Sequence, residues 1–209
     1  MKGDKVMSKQ VYISADYSED SGDKEVVGVL NQWGMDDKHK VDFIDMSKVA
    51  SGSVSNDPDC RICDLKSEFN RQINASSAVI FIVGDKTASR TAGSNCLRAG
   101  KNQIFCECTP YKQNTNGTKP CKVTSTITPG PNDNVGNINS FSYLKHEFEQ
   151  AKKKGKRIII LYNSLRKESS WLPSYMKDFE NDAVPFWITN IYGTKVGNYS
   201  YIKEVLGYD

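Results

Sequence analysis

The most constraining feature of this chain is an uninterrupted run of six apolar residues, 78–83, that ends at Gly84. The serine pair Ser76 and Ser77 precedes it. A short apolar run bounded in this way is typical of a central strand that is buried on both faces of its sheet. The run therefore predicts an α/β protein, provided that helical patterns flank it in the sequence.

Strand and helix patterns do alternate around this run. The second helix, for example, places Leu65, Phe69 and Ile73 four residues apart on one face. The alternation predicts right-handed crossovers and a central parallel sheet, which a short helix and strand after residue 163 complete. Strands are predicted over residues 10–14, 41–45 and 157–162, and helices over residues 22–33, 63–75 and 142–154.

One domain is predicted, spanning residues 1–209, because no hinge-like break in composition divides the chain. Within it, residues 85–140 lose all periodicity and accumulate Gly, Asn, Thr, Pro and cysteine. We interpret these residues as a long irregular insertion. In parallel sheets, ligands bind beyond the carboxyl ends of the strands, so the polar loops that follow residues 14 and 45 are predicted to meet there.

Charge and hydropathy exclude several function classes. The chain has 28 basic and 25 acidic residues, a net charge of +3, which gives no reason to expect a nucleic-acid partner. No stretch approaches the roughly 20 apolar residues that span a bilayer, and the first ten residues lack the apolar core of a signal peptide. We therefore expect a cytoplasmic protein without membrane contact, whose thiols stay reduced.

The cysteines raise the question of a metal. Four of them can supply the thiolates that a tetrahedral structural zinc prefers. Against this reading, the C-x-C spacing is a less usual half-site than C-x-x-C, and the C-x-x-C pair at Cys60 and Cys63 precedes the insertion. We expect no bound metal and keep zinc as the alternative. The four candidate ligands are Cys96, Cys106, Cys108 and Cys121.

Several common catalytic motifs are missing from the sequence. There is no G-x-x-x-x-G-K-[ST] loop, no G-x-G-x-x-G fingerprint and no G-x-S-x-G around Ser14. His39 and His146 have no partner pattern of a hydrolytic triad, and both are predicted to be exposed. A response-regulator-like or flavin-binding domain is a weaker reading, because Val83 leads into Gly84 where a phosphoacceptor Asp would stand.

Three blocks, in order, resemble the TIR superfamily: VYISADYSED near the amino end, VIFIVGDKT in the middle and YLKHEFEQAKKKGKRIIILYNS after the insertion. They are most similar to the bacterial TIR-like group that includes the TIR subunit of Thoeris anti-phage systems. The resemblance covers most of the chain outside the insertion. It implies a flavodoxin-like three-layer fold and, in enzymatic members, cleavage of the nicotinamide–ribose bond of NAD to give a linear or cyclic ADP-ribose signal.

The same resemblance implies roles for individual residues. The family's catalytic carboxylate matches Glu147, four residues after the aromatic Tyr143. From the residues alone, a solvated helix residue is the favoured interpretation of Glu147, since Glu149 lies close by and this helix is strongly charged. The nucleotide-binding positions implied by the family's first two strand loops and by this helix are Ser14, Asp16, Tyr17, Asp45, Ser47 and Tyr143.

The chemistry explains why such residues would be needed. Breaking an N-glycosidic bond passes through an oxocarbenium-like state, which a carboxylate beside the ribose stabilises. Nicotinamide leaves without a general acid, so aromatic walls and control of water are the remaining needs, for which Tyr12, Tyr17 and Tyr143 are candidates. NAD is then the substrate, and no other cofactor is expected.

Two classes of function remain open at this point. An enzyme of the TIR kind is expected to self-associate on activation and to signal to a separate effector protein. A non-catalytic TIR adaptor or nucleotide sensor would also act through self-association, but with an inert Glu147.

Overall fold

The computed structural model describes residues 9–18, 20–35, 41–45, 58–90, 111–114, 117–120 and 142–207, with residues 58–64, 66, 67 and 111–120 described by their backbone alone. Two 3-10 helices, Ser169–Trp171 and Ser174–Phe179, precede the last strands. The elements in chain order are β1 Lys9–Ser14, α1 Asp23–Gly34, β2 Val41–Asp45, α2 Pro58–Ala75, β3 Ala78–Val83, β4 Tyr111–Asn114, β5 Gly117–Pro120, α3 Tyr143–Lys153, β6 Arg157–Tyr162, β7 Val184–Pro185, β8 Trp187–Thr189, β9 Lys195–Gly197 and α4 Tyr199–Leu206.

Five strands form one parallel sheet in the order β2-β1-β3-β6-β7. Counted within the sheet alone this order is 2-1-3-4-5, that of flavodoxin-like doubly wound folds. Ile13 of β1 pairs with Ile80 of β3, which pairs with Ile159 of β6. The direction of winding reverses between β1 and β3, so a crevice is expected at the carboxyl ends of these two strands.

The sheet lies between two layers of helices, which confirms the predicted three-layer α/β architecture. Alternate residues of β1 enter different cores, with Val11 and Ile13 on one face and Tyr12 on the other. The first face packs against α1 and α4, through residues such as Leu30 and Ile202. The second face packs against α2 and α3, which places α3 directly over β1, β3 and β6.

The apolar run of β3 lies where its composition predicted. All six side chains are at most 1% exposed, because β1 and β6 flank the strand and helices cover both faces. The fifth strand, β7, is only two residues long and completes the sheet after residue 163, as predicted. The β8–β9 hairpin lies outside this sheet as a separate antiparallel pair.

Two predictions were wrong in part, the start of the second helix and the irregular character of the insertion. Helix α2 begins at Pro58, five residues before the predicted start at residue 63. Proline suits the first position of a helix, where its missing N–H needs no partner. The insertion at residues 85–140 is also not irregular throughout, since β4 and β5 pair in it as an antiparallel hairpin. Most of that insertion, including its four cysteines, lies outside the described residues.

Helix α3 begins and ends as its sequence predicted. The Ser142 side chain caps it by accepting a hydrogen bond from the Lys145 N–H at 3.0 Å. Gly155, with φ of 58°, follows its last turn in the left-handed conformation that glycine adopts without strain. The cap fixes the entry of the chain into α3, and therefore the position of the turn that carries Glu147.

The prediction that His146 is exposed was wrong, because this residue faces α2. It is 3% exposed, and its Nε2 lies 3.0 Å from Asn70 Oδ1. One turn further on, Gln150 Nε2 donates to Asn74 Oδ1 at 2.9 Å. These two polar contacts set the register between α2 and α3. The prediction for His39 lies outside the described residues.

No helix in the described ranges combines the length and the apolar character that crossing a membrane requires.

We expect Gly197→Ala to lower the free energy of unfolding by about 1–3 kcal/mol, because the added methyl group overpacks the core. A Cβ there would lie 2.6 Å from Trp33 Cη2 and 2.9 Å from Phe186 Cζ. Gly28→Ala is the matched control, since a Cβ at Gly28 meets nothing within 4 Å, and we expect it to be neutral or stabilising. Urea unfolding of both variants tests this, and an equal effect of the two would contradict the packing described for Gly197.

Candidate functional site

An open cavity of about 630 Å³ lies beyond the carboxyl end of β1. Its wall is formed by the loop that follows β1, the first turns of α1 and α3, one face of α2 and Arg90 after β3. This is the crevice expected from the reversal of winding between β1 and β3. The fold therefore brings residues that are far apart in sequence to one concave site.

Most of the cavity wall is apolar. Tyr17 comes from the loop after β1, Leu65 and Phe69 from α2, and Tyr143 from the first turn of α3. The rings of Phe69 and Tyr143 meet edge to face, with centroids 5.4 Å apart and an interplanar angle of 85°. Such aromatic walls offer an apolar surface to a flat ring.

Glu147 also lines this cavity, although it is only 2% exposed. The Tyr12 hydroxyl donates a hydrogen bond to its Oε1, and the Ser14 hydroxyl donates one to its Oε2. Glu149, two residues further along α3, is exposed. The interpretation of Glu147 as a solvated helix residue is therefore wrong, because the turn that carries it faces β1.

Burial raises the pKa of Glu147 to about 7, and the hydrogen bonds from Ser14 and Tyr12 lower it only in part. Burial, followed by the nearby charge of Glu147, holds the pKa of Tyr12 well above its ordinary value. Tyr12 therefore stays a neutral donor, while Glu147 exchanges its proton near neutral pH. Carboxyl groups with pKa values raised by an apolar site are characteristic of functional clefts.

Asp16 shapes the loop at the mouth of the cavity. Its Oδ1 accepts hydrogen bonds from the Ser18 N–H at 2.9 Å and the Ser18 hydroxyl at 2.6 Å, and its Oδ2 accepts one from Arg90 Nε at 2.5 Å. Burial raises the pKa of Asp16, but the bonds from Ser18 and Arg90 outweigh it, so the pKa lies below its ordinary value. The ionised Asp16 thus holds Arg90 at the rim.

The rim carries a chain of alternating charges beyond Asp16. Arg90 also bonds to Asp20, which in turn accepts a hydrogen bond from Lys86 Nζ at 2.6 Å. Lys24, on the first turn of α1, is exposed and lines the same cavity. The mouth of the cavity therefore carries two cationic side chains, Lys24 and Arg90, of which Arg90 is already bonded to Asp16 and Asp20.

A second buried carboxyl group, that of Asp23, holds the loops around the site in place. Asp23 is fully buried, and it accepts hydrogen bonds from the Asp16 N–H and from Asn163 Nδ2, both at 3.1 Å. Trp187 Nε1 donates to Asn163 Oδ1 at 3.0 Å. A Cβ at Gly84 would lie 2.9 Å from Asp23 Oδ1, so glycine is needed there. This network ties together the loops after β1, β3 and β6.

The structure brings together only part of the predicted site. Asp16, Tyr17, Tyr143 and Glu147 line the cavity. Ser14 is fully buried behind it, with its hydroxyl on Glu147. Asp45 is 1% exposed at the end of β2, where it accepts a hydrogen bond from Asn31, and it does not line the cavity.

Other predicted residues lie outside the described ranges, namely Ser47 and the zinc candidates Cys96, Cys106, Cys108 and Cys121. Within those ranges, no cluster of three or more histidine, cysteine, aspartate or glutamate residues has a metal-binding arrangement.

Sequence reasoning missed Lys24, Arg90 and the hydroxyl role of Tyr12. Arg90 was assigned to the insertion, and no local pattern marks it or Lys24. Tyr12 was considered as a wall residue, but it is fully buried and does not line the cavity. The spacing of Tyr12 and Ser14 could have indicated that their hydroxyls act together, because residues two apart on a strand point to the same face.

Comparison of the chain with models of protein families, with curated proteins and with solved structures found no match in any of the three. The fold and the site define an α/β three-layer domain that presents a buried carboxylate to an apolar cavity at the carboxyl edge of its sheet.

Proposed function

We propose that this chain is a TIR-like enzyme that cleaves the nicotinamide–ribose bond of NAD and releases an ADP-ribose product, linear or cyclic, as a signal to an effector protein in anti-phage defence. The observation that carries the proposal is the buried Glu147 carboxylate in the wall of the apolar cavity. It stands at the helix position to which the sequence resemblance assigns the catalytic glutamate.

The surroundings of Glu147 suit the stabilisation of positive charge. A buried carboxylate such as Glu147 interacts with a developing oxocarbenium ion much more strongly than one in water does. The positively charged nicotinamide ring of NAD also favours the ionised form, so the carboxylate would ionise as that ring binds beside it. Tyr12 and Ser14 use two of its roughly four lone-pair positions, which leaves two for ribose hydroxyls.

The remaining walls fit the other parts of NAD. The rings of Tyr17 and Tyr143 offer apolar surfaces for nicotinamide. Lys24 and Arg90 offer positive charge for the pyrophosphate, with Arg90 exchanging its contact to Asp16 for the phosphate oxygens. The leaving nicotinamide is neutral once the bond breaks, so no general acid is needed.

One observation favours the nucleotide-sensor alternative. Both oxygens of Glu147 already accept hydrogen bonds from β1, which is also how a carboxylate with a purely structural role is held. In that case the cavity would bind NAD or ADP-ribose without cleavage, and the domain would act through self-association.

The test is to incubate the protein at high concentration with NAD, with and without a crowding agent that promotes assembly, and to follow nicotinamide and nucleotide products by mass spectrometry. We expect nicotinamide release from the wild type and from Glu149→Gln, whose exposed side chain lies on the same helix. Binding of NAD without release, measured by calorimetry, would favour the sensor. No binding would exclude both nucleotide functions and leave the adaptor.

A further inference from the structure

We propose that Tyr12 and Ser14 are a pair of positioning residues that hold the two oxygens of the Glu147 carboxylate in place and favour its ionised form. This inference rests on the proposed function, since it assigns their task in the reaction of Glu147. It also changes the role of Ser14, which the sequence resemblance assigned to substrate binding. Each hydroxyl donates to a different oxygen of the carboxylate.

The placement of the two residues follows from the strand. Tyr12 and Ser14 are two apart on β1, so both side chains point to the face that α3 covers. Both are fully buried, and neither lines the cavity. A ligand in the cavity therefore meets Glu147 and not the two hydroxyls, which is why they act through the carboxylate.

The backbone beneath this arrangement is held by packing. Tyr12 pairs with Val79 and Ser14 with Phe81 on the neighbouring strand β3. The Phe81 ring packs edge to face on Phe148, with centroids 5.5 Å apart, and Phe148 directly follows Glu147 on α3. The distance from β1 to α3 is thus set by apolar contacts, and the two hydroxyls fix only the orientation and charge of the carboxyl group.

The tyrosine and serine hydroxyls differ in their ability to accept a hydrogen bond from a protonated Glu147. The tyrosine hydroxyl stays protonated in this buried place, so it donates to Glu147 throughout the neutral pH range. The serine hydroxyl rotates and can donate or accept. When Glu147 takes up a proton, Ser14 can accept from the new O–H while Tyr12 continues to donate. The pair therefore serves both protonation states without a side-chain movement.

Other titratable and charged groups lie around this site, on every element packed near it. Among the described residues, the hydrogen bonds that lower the pKa of Glu147 come from Ser14 and Tyr12. The charged and titratable groups around the Glu147 carboxyl group, which could also change its pKa, are Asp16 and Tyr17 after β1, Lys24 on α1, Asp45 on β2, Glu68 on α2, Arg90 after β3, Tyr143, His146 and Glu149 on α3, and Tyr175 in the 3-10 helix.

Titration of the Glu147 carboxyl group in Tyr12→Phe and Ser14→Ala tests the proposal. A hydrogen bond to the charged form lowers the pKa of a carboxyl group, so its loss should raise the pKa of Glu147 by about one pH unit in each variant. The signal is read by carbon NMR of protein labelled at glutamate and is assigned through Glu147→Gln. We also expect the acidic limb of the pH profile for kcat/KM with NAD to move upward by the same amount, with KM little changed.

Tyr162→Phe is the matched control. Tyr162 is a fully buried tyrosine of β6 in the same core, and its hydroxyl makes no hydrogen bond to Glu147. We expect wild-type titration in this variant, and in Ser14→Thr, which keeps a hydroxyl. An unchanged pKa in both Tyr12→Phe and Ser14→Ala, or an equal shift in Tyr162→Phe, would overturn the proposal.

The titration needs no NAD, so its result separates the two proposals. A shifted carboxyl pKa in a protein that never releases nicotinamide would leave the positioning role standing and remove the proposed activity. The reverse result, activity with no shift in any variant, would remove the positioning role alone.

Discussion

Replacing Glu147 by glutamine is expected to lower nicotinamide release from NAD by about a hundredfold to a thousandfold, and at the same time to stabilise the folded protein at pH 8. The loss follows because glutamine has nearly the same shape but no charge to set against the oxocarbenium-like state. Glutamine can still accept a hydrogen bond from Tyr12 and donate one to the Ser14 oxygen, so the local packing is kept.

The gain in stability follows from the pKa of the buried carboxyl group. Glu147 has a folded-state pKa of about 7 against an ordinary value of 4.5. Between these values the unfolded chain loses the proton that the folded chain retains, so stability falls as the pH rises from about 4.5 to about 7. Above pH 7 the whole loss of stability is present, about 3–4 kcal/mol at about 1.4 kcal/mol per pH unit. Glutamine carries no such cost.

Urea unfolding at pH 5 and pH 8 measures this effect. The advantage of Glu147→Gln over the wild type should be large at pH 8 and fall below about 1 kcal/mol at pH 5. Asp23, whose pKa burial also raises to about 7, contributes in the same direction but is present in both proteins, so it cancels in the difference. Glu149→Gln, which changes an exposed residue of the same helix, is the matched control. A Glu147→Gln variant that is less stable than the wild type at pH 8 would contradict the buried, partly neutral carboxyl group.

Much of the fold could be predicted because segments that are buried in the protein are also apolar in sequence. The run of β3 is apolar at every position, since the strand has helices on both faces and strands on both sides. The predicted helix over residues 142–154 is close to α3, because the Ser142 cap and the left-handed Gly155 each act within a single turn. The start of α2 at Pro58 was missed by five residues, although proline is favourable at the first position of a helix.

The site was less predictable, because it depends on contacts between distant parts of the chain. The charged sequence around Glu147 resembles a solvated helix face, and only the resemblance to TIR proteins singled the residue out. Its burial comes from Tyr12 and Ser14, which lie 135 and 133 residues away. His146 was predicted to be exposed for the same reason, since its partner Asn70 lies on α2. No pattern within one element reveals such pairs.

Phe148→Ala is expected to lower the free energy of unfolding by about 3–5 kcal/mol, the usual cost of removing a fully buried phenylalanine ring. Phe148 is fully buried, and its ring packs on three others: Phe81 at 5.5 Å between centroids, Tyr175 at 5.6 Å and Phe179 at 5.5 Å. It thereby joins the sheet, α3 and the 3-10 helix, so its loss leaves a cavity that no single neighbour can fill.

Phe148→Leu separates packing from the mere presence of an aromatic ring at this position. Leucine fills much of the same volume, so we expect a clearly smaller loss, about 1–2 kcal/mol. It should also keep α3 over β1, so the pKa of Glu147 in this variant should stay near 7, whereas a loosened helix would admit water and let it fall toward 4.5. Urea unfolding and carboxyl titration of the two variants measure both effects. A loss below about 1 kcal/mol for Phe148→Ala would mean that α3 is not anchored through this ring.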